Sequence, residues 1–341
     1  MDIRNAGFKL SPVDMNLFPA GFNNLSTALE PFVATAARSA ILQWVPQAKR
    51  ILLIPENHTR NVFYWKNIQT LLDILKKADF EIQLGELNQK IEHFIPDVIL
   101  LNNDLSSGIP ESLQKAQQPI LPPPELGWNQ RLKSKHFQLY ADVADEFSQL
   151  IHLDPWQITP LFRQCGEVNF MKREGEECLI YHVEQLLAAI QKKYDEYQIA
   201  HKPFIIIKAD AGTYGMGIMT VRSIEEVRTL NRKERTRMAK TKGGTPVNQV
   251  IIQEGIYTID VWGKEQEVAE PVIYLWGKEV VGGFYRIHKD RGFDENLNSP
   301  GMYFEPFPWQ TMEPPPQAYA YHVIARLSML AAAREIHLVK G

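Results

Sequence analysis

Cysteine is scarce in this chain of 341 residues: Cys165 and Cys178 are the only two, and neither sits in a CxxC pair or a Cys/His cluster. That excludes a disulfide framework and a structural zinc site of the usual spacing. No charge of one sign prevails, since the net charge is −3 with 23 % charged residues, so neither nucleic acid nor an anionic membrane is an obligatory partner. Apolar runs stay short of the roughly 18 residues that a membrane span needs. The opening MDIRNAGFKLSPVD also lacks the charged and apolar regions of a signal peptide, which makes a reducing cytoplasm the expected setting. The nine histidines form neither HxxxH nor HExxH, no GxSxG elbow occurs, and no internal repeat is visible. Whatever chemistry is present does not run through a zincin helix or a serine nucleophile.

What is present is a hydrophobic content of 45 %, enough for a full core with two or three lobes around a cleft. Alternating strand and helix signals give an α/β (α+β) chain in three parts, about 1–47, 48–125 and 126–341. The first opens with a strand candidate over Phe8 to Asn16, a turn FPAGFNN, and a helix through LSTALEPFVATAARSAILQWV. The second reads as a small doubly wound parallel unit, in which KRILLIPE, FEIQLGE and DVILLNND are strands. Its polar loops after Pro55 and at Asn102, Asn103 and Asp104 lie at the carboxyl edge, where such sheets bind ligands. The triple proline of ILPPPELGW is a stiff connector that closes this part. In the third, strands are expected at PFIIIKAD, GIMTV, QVIIQEGI, AEPVIYLWG and EVVGGFYRIH, the last pair turning at Gly277-Lys278.

The most informative stretch is FIIIKADAGTYGMGIM, in which a buried strand delivers Lys208 into a loop holding Gly212, Tyr214, Gly215 and Gly217. Polyphosphate binding needs backbone N–H groups that can come close, which glycine permits, and a fixed cation, which Lys208 supplies. Lysine precedes the glycines and a second strand follows them, so the pattern is a β-hairpin lid and not a P-loop. An ordinary glycine-rich turn would read the same. The next strand, QVIIQEGI, ends in Gln253-Glu254, a placement suited to adenine and ribose. Further on, Arg286 emerges from a strand and is the candidate to stabilise charge on a transferred phosphoryl group. The basic run RKERTRMAKTK reads as a solvated loop, and the two cysteines as thiols without a role.

A lysine strand, a glycine lid and a strand ending in a carboxylate follow the ATP-grasp order. Magnesium there needs oxygen ligands, which a [DE]-x-N strand supplies near the end of most such domains. Here the chain stops soon after its last helix, and the pattern stands instead at the front as Asp14 and Asn16. This resembles eukaryotic-type glutathione synthetases, whose ATP-grasp domain is circularly permuted. In those an arginine upstream contacts a substrate carboxylate, and Arg4 occupies the comparable place, close behind Met1, so that elements upstream of this arginine in such enzymes are expected to be either absent or cut away from this sequence.

From IRNAGFKLSPVDMNLFPAGFNNLS through KADAGTYGMGIM and QEGIYT to ENLNSPGMYFEP, the chain resembles the proteobacterial glutamate-cysteine ligase family first associated with acidithiobacilli. The resemblance implies an ATP-grasp-like, circularly permuted fold and synthesis of γ-glutamylcysteine from glutamate, cysteine, ATP and Mg2+ through an acyl phosphate. It implies Asp14 and Asn16 as metal ligands. It further implies Lys208, Arg286 and Arg4 in catalysis, and Gly212, Tyr214, Gly215, Gly217, Gln253 and Glu254 at the nucleotide. For substrate it implies Arg4, Phe18, Gly21, Asn23 and Asn24, with Arg60 a further candidate. Residue types alone leave open another ATP-grasp peptide ligase, such as a glutathione synthetase, and a nucleotide-binding protein without catalysis. The expected partners are small molecules only, and the assembly of several copies stays undecided.

Overall fold

The computed structural model describes residues 1–56, 60–87, 94–212, 217–240, 246–308 and 316–340. Among these, three sheets form. The first strands, β1 (Asp2–Asn5) and β2 (Leu10–Asp14), pair antiparallel, with Asp2 opposite Asp14. The single strand expected over Phe8 to Asn16 is therefore shorter and has an unforeseen neighbour.

An all-parallel sheet follows, in the order β4-β3-β5-β6, from β3 (Arg50–Pro55), β4 (Glu81–Leu84), β5 (Val98–Asn102) and β6 (Ile120–Leu121). The apolar run RILLIP of β3 is buried over five of its residues, as a central parallel strand requires. The crossover helix Val62–Lys77 is capped by Asn61, whose side-chain oxygen accepts from Phe63 N and Tyr64 N, and it ends on Lys76 and Lys77 at the negative end of its dipole.

The third region contributes an antiparallel sheet β7-β10-β8-β9, built from β7 (Phe162–Cys165), β8 (Ile205–Ala209), β9 (Ile218–Val221) and β10 (Val250–Glu254). Helix Glu176–Glu196 covers it with Leu179, Val183, Leu186 and Ile190, a spacing of three and four that places all four on one stripe. The basic run expected as a loop is in part a helix, Arg232–Met238, because Asn231 and Glu234 close a capping box over its first turn.

The last strands, β11 (Val261–Trp262), β12 (Glu267–Trp276), β13 (Glu279–His288) and β14 (Tyr303–Pro306), return to the start of the chain and complete a sheet of order β14-β13-β12-β1-β2, with β11 on β12. The β12–β13 hairpin turns at Gly277-Lys278 as expected. One core packs helices Glu30–Trp44 and Val62–Lys77 between this sheet and the parallel one. Another packs helices Lys133–Ile151 and Pro316–Lys340 against residues of β1, β12 and β13.

Charges inside this fold are paired. Arg131 meets Glu335 of the last helix in a two-pronged contact (Nε–Oε2 2.7 Å, Nη2–Oε1 2.9 Å) and donates its third nitrogen to Met15 O at 2.6 Å. His136 shares the same carboxylate. Burial alone would raise the Glu335 acid, but Arg131 and His136 more than offset it and hold it near 2, below its ordinary 4.5. Burial lowers the His136 imidazole from its ordinary 6.5, against the pull of Glu335. Both groups bind more protons unfolded than folded, so stability present at neutral pH falls on acidification, first through His136 below about 6.5 and then through Glu335 from about 4.5 toward 2. Glu335→Gln should cost on the order of 3 kcal/mol at pH 7 by stranding a buried guanidinium. It should also flatten the dependence below pH 4.5. Urea unfolding followed by circular dichroism across that range checks both; parallel curves for variant and wild type would sink the assignment.

Candidate active site

All three sheets reach one cleft of about 770 Å³. β1 and β2 bring Asp2, Arg4 and Asp14, β8 and β10 bring Lys208, Gln253 and Glu254, and the parallel unit brings Asn61, Phe63, Tyr64 and Asp104 from its carboxyl side. Lys208 joins two of the sheets directly: its Nζ donates to Val13 O at 2.7 Å and to Gln253 Oε1 at 2.7 Å. One residue after Val13, Asp14 faces Lys133 at 3.2 Å. The opening strand and the distant lysine hairpin thus meet around one space, which is the geometric requirement of the ligase reading.

The electrostatics of the cleft floor are interlocked. Glu270 of β12 takes Arg4 Nε at 2.8 Å on one oxygen and Arg286 Nη1 at 2.6 Å on the other, and Arg286 reaches on to Asp2 at 2.9 Å. Burial would raise the Glu270 acid, but the two guanidiniums hold it below the ordinary carboxylate range. Desolvation would likewise raise Asp14, yet Lys133 and then Lys208 keep it well below that range, so it is an anion throughout neutral pH. Burial pushes the Lys208 ammonium down to about 8, against the pull of Asp14. Lys133 also lies over the Trp128 ring, 3.7 Å from its centroid. Arg4, Lys133, Lys208 and Arg286 line the cleft among the carboxylates of Asp2, Asp14, Asp104, Glu254, Glu270 and Glu295, so an anionic ligand finds cationic donors that are already oriented by internal partners. Two buried donors in the lining, Gln253 Nε2 and Arg286 Nε, have no partner among the described residues. A ligand's acceptors can satisfy them.

Loop Phe18 to Asn24 forms one wall. Its backbone is pinned from the parallel unit: Asn67 Oδ1 accepts from Gly21 N at 2.8 Å and Phe22 N at 3.0 Å, and Asn67 Nδ2 donates to Asn102 Oδ1 at 3.1 Å. Asn102 Nδ2 in turn donates to Pro19 O at 2.8 Å, and Tyr64 Oη donates to Asn102 O at 2.8 Å. Gly21 has φ +136°, and a Cβ there would lie 2.8 Å from Tyr274 Oη, so only glycine fits.

Of the residues singled out in the sequence, Arg4, Asp14, Asn16, Phe18, Gly21, Asn23, Asn24, Lys208, Gly212, Gln253, Glu254 and Arg286 line the cleft. Tyr214 and Gly215 lie outside the described residues. Gly217 does not line the cleft, and its carbonyl accepts from Ala209 N at 3.0 Å. Arg60 is exposed and does not line the cleft, because the helix that follows begins at Val62 and turns it outward. Three of the lining residues stand in settings that bear on their expected roles. The Glu254 carboxylate is turned away from the cleft, held by Lys9 at 2.7 Å, by Trp156 Nε1 at 3.1 Å and by Leu161 N at 2.9 Å, so it is not free for a ribose. Asn16 lies beyond the end of β2, and strand alternation does not align it with Asp14. Arg4 is bonded at every nitrogen, by Glu270, the carbonyls of Ile256 and Phe293, and that of Glu295, which leaves one N–H on Nη2 for a substrate carboxylate.

Sequence reasoning missed Lys133, Glu270, Asp2 and Asn67. A lone carboxylate inside the apolar strand AEPVIYLWG was a usable signal for Glu270; Lys133 and Asn67, in ordinary helical patterns, carried none. For a metal ion, no three His, Cys, Asp or Glu side chains gather among the described residues. Asp14, with 38 % of its side chain exposed, is a hard oxygen donor that fits an ion taking most of its ligands from phosphates and water. Asn16 Oδ1 now accepts from Phe18 N at 2.9 Å and Trp128 Nε1 at 3.1 Å, and joins such a shell only by releasing one of them.

Comparison with known proteins places this geometry. A family model described as glutamate-cysteine ligase (GshA) matches residues 1–93 and 89–336. A crystal structure of a protein from Methylobacillus flagellatus KT, provisionally named a gamma-glutamylcysteine synthetase, is 47 % identical, with a TM-score of 0.88 over 99 % of this chain and 88 % of that one. D-cycloserine synthetase DcsG is a far weaker likeness, 10 % identical with a TM-score of 0.46 over 85 % of this chain and 82 % of that one. No curated protein matches the chain significantly.

Asn67 offers a test of the wall independent of any ligand. Asn67→Ala strands the amides of Gly21 and Phe22 and leaves Tyr64 as the remaining donor to the Asn102 side-chain oxygen, and should lower stability by at least about 2 kcal/mol. The shift of the urea midpoint measures it; an unchanged midpoint would show that the network does not hold the loop.

Proposed function

The chain belongs to the glutamate-cysteine ligase family, and from that premise we infer how its cleft joins the γ-carboxylate of glutamate to the amine of cysteine at the expense of ATP. The observation that carries this reading is the convergence of Asp14, Lys133 and Lys208, drawn from three distant stretches of the sequence, around one polar space.

Lys208 and Lys133 bind the phosphates as point charges, with Gly212 lining the same space. The backbone of Gln253 and Glu254, at the end of a buried strand, borders the base. Asp14 and Asn16 would hold Mg2+, which supplies charge neutralisation across the phosphates and is needed because a triphosphate brings more negative charge than the lining cations offset. The loop Phe18 to Asn24 and Arg4 hold the substrate's carboxylate. A γ-carboxylate oxygen of glutamate attacks the terminal phosphorus, and ADP departs. Arg286, fixed by Asp2 and Glu270, stabilises charge on the transferred group. The cysteine nitrogen then attacks the acyl carbon of the acyl phosphate so formed, phosphate leaves with the bonding pair, and the amine's proton passes to solvent. No side chain of the protein becomes covalently attached.

Asp14→Ala and Lys208→Ala should each reduce kcat/KM by on the order of a hundredfold or more, the loss of one charge-stabilising contact in a preorganised site. Lys133→Met should act alike, mainly through the KM for ATP. ADP release with Mg2+, glutamate and cysteine measures all three, with circular dichroism showing that each variant is folded. Wild-type turnover in Asp14→Ala and Lys208→Ala would refute the mechanism, and ADP release that needs γ-glutamylcysteine in place of glutamate would refute the substrate assignment.

A further inference from the structure

Cys165 and Cys178 are absent from the mechanism above, yet their sulfur atoms lie 3.0 Å apart. They come from different elements. Cys165 ends β7, buried opposite Val250 of β10, while Cys178 stands exposed in the first turn of helix Glu176–Glu196. Two thiols in van der Waals contact usually rest farther apart than this, and a disulfide needs the sulfurs only about 1 Å closer.

The segment between them is built to hold the pair. Asn169 and Glu174 exchange backbone hydrogen bonds (Asn169 N to Glu174 O 3.0 Å, Glu174 N to Asn169 O 3.2 Å), and the Asn169 side chain accepts from Lys172 N at 3.1 Å, so the chain reverses tightly. Val168 N donates to Asn248 O at 2.9 Å and ties the near arm to the sheet. Gly175 closes the far arm with φ +74°, where a Cβ would lie 2.9 Å from Glu167 O. The reversal sets the start of the helix beside the end of β7, where the two sulfurs face each other.

We propose that Cys165 and Cys178 are a reversible thiol–disulfide site, oxidised by low-molecular-weight disulfides and reduced by thiols. The exposed Cys178 sulfur attacks one sulfur of the small disulfide, whose S–S bond breaks and whose other half leaves as a thiolate. Cys165 sulfur, in contact with Cys178, then attacks the mixed disulfide at Cys178; the second small thiol leaves and takes up the Cys165 proton. The two protein thiols lose two electrons and two protons, and the small disulfide becomes two thiols. Burial pushes the Cys165 thiol up to about 12, which keeps it protonated until the attack on its neighbour and makes Cys178 the point of entry. The bridge ties the edge strand of the sheet that carries Lys208 and Gln253 to the helix packed on that sheet.

The full-length protein, reduced with dithiothreitol and freed of it, should show two thiols towards a chromogenic disulfide reagent in denaturant. After incubation with 2-hydroxyethyl disulfide it should show none. Peptide mapping without reductant should then give one fragment joining the Cys165 and Cys178 peptides, and dithiothreitol should restore both thiols. Cys165→Ser should instead stop at a stable mixed disulfide on Cys178, and Cys178→Ser, altered at an exposed position, should keep its buried thiol unmodified. Retention of both thiols in the wild type, a persistent mixed disulfide on wild-type Cys178, or cross-linking only between chains would each overturn the proposal. None of these readouts depends on which amino acids the cleft joins.

Discussion

One hydrogen bond sets the geometry on which the cleft depends, the 2.7 Å contact from Lys208 Nζ to the carbonyl of Val13. It spans two sheets that share no strand, since β8 belongs to the lid sheet and β2 to the sheet completed by the chain's two ends. A lysine buried in this way carries a desolvation cost that only well-placed acceptors offset. Val13 O, Gln253 Oε1 and the nearby charge of Asp14 supply them. The sheets are thereby held at the one separation that keeps Asp14 in the field of Lys133 and Lys208.

The same logic explains why the remaining charges are tied to one another. Arg286 and Arg4 would be costly if left bare in a half-enclosed space, and Glu270 between them removes most of that cost while holding both guanidiniums rigid. Ligand binding in such a cleft is partner exchange: phosphate and carboxylate oxygens take over donors that Asp2, Asp14 and the loop carbonyls now occupy. Exchange of this kind costs little reorganisation, because the donors are already oriented, and it favours ligands that bring enough negative charge to displace the internal partners.

How much of this was legible in the sequence follows from how local each signal was. The strands around Lys208 and Gln253, the β12–β13 hairpin and the parallel unit are written in contiguous apolar runs and turn residues, and they stand where periodicity places them. Lys208, Asp14 and the wall residues Gly21, Asn23 and Asn24 could be picked out because motif spacing marks them. The direction of Glu254 could not be read, because it is decided by Lys9 and Trp156, which lie 245 and 98 residues away in sequence. Lys133 matters through what faces it across the cleft, and no spacing in the chain encodes that, whereas Glu270 was marked only by being a lone carboxylate in an apolar strand. The helical part of the basic run was hidden for the opposite reason: a capping box of two residues outweighed a composition that suggested a loop.

The sheet that carries most of the charge also binds the two ends of the chain together. Arg4 meets Glu270 across 266 residues, Arg286 meets Asp2 across 284, and the N-terminal nitrogen itself donates to Ile273 O. Closing loops of that length is costly in entropy only logarithmically, but nothing is repaid until both ends have docked. A partly folded chain can hold the parallel unit and the lid sheet, each built from a continuous stretch, and still have no cleft. Asp14 and Asp2 reach their partners only when β1 and β2 enter beside β12, so the site exists in the complete fold alone and is exposed to any change that loosens the docking of the last helix through Arg131 and Glu335.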